Sequence, residues 1–79
     1  MNVGTINTTE YEAMVERLRV ARQEAGMTQE AVADFFGRPQ SFVSKIESGD
    51  RRIDPVELCY FADLYQKPLL WFLPDQCGN

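Results

Sequence analysis

A bundle of five short α-helices with no strand is what this sequence predicts, and three observations predict it. Apolar residues recur at intervals of three and four, the spacing of one helix face, and nowhere alternate as a half-buried strand would. Capping and stopping residues, among them Thr28, Gly37, Pro39, Gly49 and Asp54, divide the chain at short intervals. A chain of 79 residues closes one hydrophobic core and has no room for a second.

Residues 1–8 are mostly small or polar, contain Gly4, and read as a flexible lead-in. Thr9 followed three places on by Glu12 fits a capping box, after which Met14, Leu18, Ala21 and Ala25 repeat at helical spacing until Gly26. A first helix over residues 10–25 results. Thr28 caps a second, with Met27 and Val32 placed as a hydrophobic staple and Val32, Ala33 and Phe36 on its inward face. Gly37 ends it after about two turns. Pro39 is tolerated only in a first helical turn, so a third helix runs from Pro39 or Gln40 to Ser48, and Gly49 stops it.

Only Val43 and Ile46 are clearly apolar and inward on this third helix; Gln40, Ser41, Ser44 and Lys45 face elsewhere. The loop Asp50-Arg51-Arg52-Ile53 follows, and Asp54, Pro55 and Glu57 supply the cap, first-turn proline and capping-box acid of a fourth helix. Leu58, Phe61, Ala62 and Tyr65 fall at i, i+3, i+4 and i+7, a core stripe that Cys59 and Leu64 widen. Pro68 opens a last short helix through Trp71 or Phe72. The folded domain is thus expected over residues 9–74, with a tail at 75–79.

The formal net charge is -4, from 8 basic and 12 acidic residues. Its distribution is uneven. Positions 38 to 52 carry Arg38, Lys45, Arg51 and Arg52 against Glu47 and Asp50, a net +2, which leaves -6 for the remainder. One basic stretch on an acidic body suits a polyanion-binding face, although chance clustering of a few charges gives the same count.

Several classes are disfavoured. Histidine is absent and the two cysteines, Cys59 and Cys77, stand eighteen positions apart, which matches no zinc spacing. No Gly-rich phosphate loop and no nucleophile with a plausible partner appears, so neither catalysis, a metal nor a cofactor is expected. Apolar runs such as Leu69-Leu70-Trp71-Phe72-Leu73 reach only five residues, and the N-terminus lacks a signal-peptide pattern. A cytoplasmic protein with two free thiols is the expectation.

The second and third helices, joined at Gly37, form a helix-turn-helix. The residues Thr28-Gln29-Glu30, Ala33, Gly37, Gln40-Ser41, Val43-Ser44-Lys45-Ile46-Glu47, Gly49, Leu58, Phe61 and Ala62, taken with their spacing, resemble the lambda-repressor and Cro-like helix-turn-helix family, also called the XRE family. The likeness runs from about Arg17 to Leu73.

That resemblance implies a sequence-specific DNA-binding transcriptional regulator whose third helix enters the major groove. It implies that Gln29 and the start of the second helix meet a phosphate, and that Gln40 and Ser41 reach base edges, Gln40 being suited to bidentate pairing with adenine. Ser44 and Lys45 follow one turn on, with Lys45 donating either to guanine or to a phosphate. Phe42 either meets a thymine methyl or folds back to pack on a neighbour. Arg38, Arg51 and Arg52 suit phosphate clamping or serve as solubilising charge. Arg22 and Glu47 match positions that pair in many relatives, and Asp50 lies unfavourably close to the phosphates.

The apolar run at 69–73 is too apolar for a free surface, and at least half of it is expected to close the core. The rest, Leu70, Trp71 and Leu73, suits a homodimer on a palindromic operator. The alternative is a protein-interaction or antitoxin-type module on the same fold, which Phe35, Phe42 and Trp71 would serve if exposed.

Overall fold

A computed structural model describes residues 8–74 of the chain. Among them five helices follow one another without a strand: α1 (Thr9–Glu24), α2 (Gln29–Phe36), α3 (Gln40–Ser48), α4 (Pro55–Tyr65) and α5 (Leu69–Phe72). This is the all-α bundle that the periodicity predicts. The expected lead-in, apart from Thr8, and the expected tail with Cys77 lie outside the described residues.

Local chemistry explains most helix ends. Thr28 Oγ1 accepts from the N–H of Ala31 at 3.0 Å and starts α2. At α4 the capping box is complete: Asp54 accepts from the N–H of Glu57 at 2.7 Å, and Glu57 accepts from the N–H of Asp54 at 3.1 Å. At α1 the cap is Thr8, whose hydroxyl accepts from the N–H of Tyr11, and not Thr9. The Thr8 carbonyl already takes the N–H of Glu12 at 2.9 Å, so the expected Thr9 box has no donor to use. Gln66 ends α4 at φ 59°, a left-handed conformation in a residue that carries no stop signal.

Every helix contributes to one core. Leu18, Val32, Val43, Ile46, Phe61 and Phe72 are almost wholly buried, and each such side chain contributes about 1.5–3 kcal/mol through the water it sheds. The α4 stripe Leu58, Phe61, Ala62 and Tyr65 is buried as its spacing predicts, with Leu64 half-buried beside it. Two expectations fail. Cys59, one residue past Leu58, turns outward, and Ala25, the C-cap of α1, is exposed where the last turn leaves the core.

The terminal apolar run is divided. Phe72 is fully buried and Trp71 and Leu73 pack partly against the core, whereas Leu69 and Leu70 are exposed. Arg17 of α1 fixes α5 by donating through Nη1 to the carbonyls of Trp71 and Leu73, at 3.1 and 2.6 Å. These are carbonyls that a helix C-terminus leaves without partners of its own. No helix among the described residues is long and apolar enough to cross a membrane.

Candidate nucleic-acid interface

The turn between α2 and α3 aims α3 outward. Gly37 takes φ 66°, and the N–H of Arg38 then reaches back to the carbonyl of Ala33 at 3.0 Å. Ala33 itself is 1% exposed, and its single methyl lets the two helices meet closely. Val43 and Ile46 anchor the inner side of α3 with no measurable exposure, which leaves Gln40, Ser41 and Lys45 exposed and Ser44 half-buried on the outer side.

Behind that face runs a chain of polar contacts. Glu47, 5% exposed, accepts from Arg22 Nε at 2.7 Å and Arg22 Nη2 at 3.1 Å. The same carboxylate accepts from the amide of Gln29 at 3.0 Å, and the Gln29 amide oxygen accepts from Gln40 Nε2 at 3.3 Å. Arg22 also donates to the carbonyl of Met27, and Arg19 donates to the carbonyl of Glu47, at 3.0 Å each. Hydrogen bonding to Glu47 raises the pKa of Arg22, so its charge is permanent. A buried ion pair thus sets the orientation of Gln29, and through it that of Gln40.

Of the two roles open to Phe42, the structure shows packing on its neighbours and not an outward contact with a base. Phe42 is 5% exposed, with its ring 5.4 Å from that of Phe36 and 6.3 Å from that of Phe61. Its position on α3 lies between the inner residues and the outer face, and the cluster of rings draws it inward. Charge covers the ring as well: the guanidinium carbons of Arg38 and Arg51 lie over it, 4.5 and 4.9 Å from its centroid.

Arg38, Pro39, Ser41, Phe42, Lys45 and Arg51 line a cleft of about 200 Å³ beside the start of α3. Arg38 and Lys45 form no ion pair among the described residues, but Arg51 does. Its two terminal nitrogens meet the two oxygens of Glu57 at 3.0 Å each, and this pairing holds the Glu57 carboxyl below its ordinary value. Arg52 lies apart, its guanidinium 4.4 Å from the ring of Tyr11. The structure therefore brings Arg38, Ser41, Lys45 and Arg51 together and sets Arg52 to one side.

Sequence reasoning missed Glu57 as a partner of Arg51 and Gln29 as a support for Gln40. The first pair spans a loop and a helix start and the second spans two helices, so neither has the fixed spacing that a sequence rule needs. Glu57 was legible only as a capping acid.

This architecture defines a helix-turn-helix domain, and comparison with known proteins agrees. A family model described as a helix-turn-helix domain matches residues 13–68. Among solved structures the chain is similar to an XRE-family like protein from Pseudomonas syringae pv. tomato str. DC3000, with 40% sequence identity and a TM-score of 0.74 over 80% of this chain and 77% of that one. It is also similar to the BldD DNA-binding domain of S. venezulae, with 25% identity and a TM-score of 0.73 over 85% of this chain and 100% of that one. Comparison with curated proteins finds no match. The chain belongs to the XRE family of helix-turn-helix proteins.

Proposed function

We propose that the chain is a DNA-binding transcriptional regulator, not an enzyme, that acts in the cytoplasm as a repressor by occupying an operator. The observation that carries this reading is the outer side of α3, where Gln40 is exposed yet held by Gln29 and is flanked by exposed Ser41 and Lys45. Gln40 and Ser41 read base edges, Ser44 and Lys45 meet the duplex one turn later, and Arg38 meets a phosphate. Gln29 has both ends of its amide engaged, so its part is to orient Gln40, while the backbone N–H groups of Gln29 and Glu30, which have no partner within the helix, approach the DNA backbone. Arg52 stands in the loop beside this face, whereas Arg51, paired there with Glu57, brings no net charge of its own to the duplex. Similarity to the BldD DNA-binding domain supports the same reading.

The regulator acts as a homodimer. Leu70 is 73% exposed, an unfavourable state for a leucine, and it adjoins half-buried Trp71 and Leu73. Twofold pairing there would set two α3 helices about 34 Å apart on a palindromic site. Selection from random duplexes tests the whole reading: an inverted repeat is enriched, and Gln40→Ala relaxes preference at one base pair per half-site. Failure to enrich any sequence at low salt would instead favour the protein-docking reading, for which exposed Phe35, Val56 and Tyr60 speak.

A further inference from the structure

The cleft beside α3 holds three cations, and one of them is already neutralised. Arg38, Lys45 and Arg51 line it, but the bidentate contact with Glu57 occupies both terminal nitrogens of Arg51, while another hydrogen bond runs from Arg51 Nη1 to the carbonyl of Arg52 at 3.0 Å. Three features hold the pair in place. The ring of Phe42 lies under the guanidinium, the capping box fixes the Glu57 carboxylate against the N–H of Asp54, and the Arg51 backbone N–H is bound to the carbonyl of Lys45 at 3.1 Å. Arg51 is only half-buried, so its charge is presented to the cleft together with the charge that cancels it.

We propose that Glu57 is a built-in brake on DNA affinity: by holding Arg51 against Phe42 and cancelling its charge, it leaves Arg38 and Lys45 alone to neutralise the phosphate that enters this cleft. The inference rests on the DNA-binding reading above. It makes Glu57 a positioning residue that acts through Arg51 and itself touches no nucleic acid. For a regulator the effect is to weaken sequence-independent attraction, which scales with the number of phosphates neutralised, while the base-reading residues on α3 are untouched.

Binding to a random-sequence duplex of about two helical turns, followed by fluorescence anisotropy from about 50 to about 200 mM salt, tests it. Glu57→Gln, which preserves the capping box because glutamine fills the same position, should bind about four- to tenfold tighter at the low-salt end and steepen the log-log salt slope by about one unit. The double variant Arg51→Met/Glu57→Gln removes a neutral pair and should keep the wild-type slope. Asp63→Asn, which removes a carboxylate from the other end of α4, should leave the slope unchanged. A Glu57→Gln protein that binds no tighter than Asp63→Asn overturns the brake, and so does a double variant whose slope falls by about one unit, since Arg51 would then already be engaging phosphate. The double variant decides the matter even where Glu57→Gln alone is poorly folded. A wild type that no duplex retains at low salt overturns the DNA-binding reading as well; wild-type binding with unmoved variants overturns this inference only.

Discussion

Glu47 on α3 grips Arg22 on α1 through two hydrogen bonds of 2.7 and 3.1 Å, with side-chain exposures of only 4% and 14%. The carboxylate also receives Gln29, so one buried anion joins three helices. Pairing of buried charges offsets their desolvation only while both partners are present. Arg22→Ala strands the more deeply buried member and should destabilise the fold by about 3–5 kcal/mol, measured by urea denaturation. A loss under about 1 kcal/mol would show that solvent reaches the pair freely.

The contact from Gln40 to Gln29 predicts that two residues on different helices govern one base pair. Gln40→Ala should lower discrimination at that position by about 1–3 kcal/mol, the worth of a bidentate base contact. Gln29→Ala should relax the same position by a smaller amount, because it removes the orientation of Gln40 and not the contact itself. Selected binding sites for the two variants supply the comparison, and relaxation at different positions would separate the two roles.

Helix existence and order were legible because each helix carries its own punctuation, and the complete capping box at Asp54 and Glu57 was readable residue by residue. Less legible was what depends on neighbours distant in sequence. Phe42 shows the difference: its polar flanks left open both a thymine contact and packing on a neighbour, and only Phe36 and Phe61, brought in by two other helices, decide for packing. The end of α4 is the converse case, since Gln66 adopts φ 59° to let the N–H of Lys67 return to the carbonyl of Ala62 at 3.0 Å, and Lys67 then pairs with Glu24 across the molecule.

Stability should fall in acid partly through Glu57. Its carboxyl is held below the ordinary value of 4.5, first by hydrogen bonding to Arg51 and further by the Asp54 N–H and the nearby guanidiniums, against the opposing effect of burial. A depressed native pKa means that the unfolded chain binds the proton first, so the stabilisation is complete above about 4.5 and is lost as pH falls through the native value. The difference in urea midpoint between wild type and Glu57→Gln should therefore shrink below about pH 4.5. A constant difference across that window would show that the ion pair contributes nothing to it.

Tyr65 carries a buried hydroxyl with no hydrogen-bond partner among the described residues, and burial together with the negative charge of Glu47 raises its pKa. An unpartnered buried hydroxyl is a net cost, while the ring beneath it packs 5.8 Å from that of Phe61. Tyr65→Phe keeps the ring and removes the cost. Thermal melts should show unchanged or higher stability, by up to about 1 kcal/mol. A fall of that size would reveal a contact made by the hydroxyl.

Gly37 sits at φ 66° and ψ 33°, and a Cβ built there meets no atom within 4 Å. Only backbone preference therefore opposes a side chain, and Gly37→Ala should cost about 1–2 kcal/mol, the penalty of an L-residue in the left-handed region. For a domain of this length that is a fall in Tm of about 4–16 °C. Asparagine tolerates the conformation better, so Gly37→Asn should lose less than Gly37→Ala. Gly26, at φ 71° and equally open, should behave alike in stability, yet only Gly37 lies in the turn that aims α3. Impaired duplex binding in folded Gly37→Ala, with normal binding in Gly26→Ala, is the expected outcome; equal binding in both would mean that the turn absorbs the substitution without re-aiming α3.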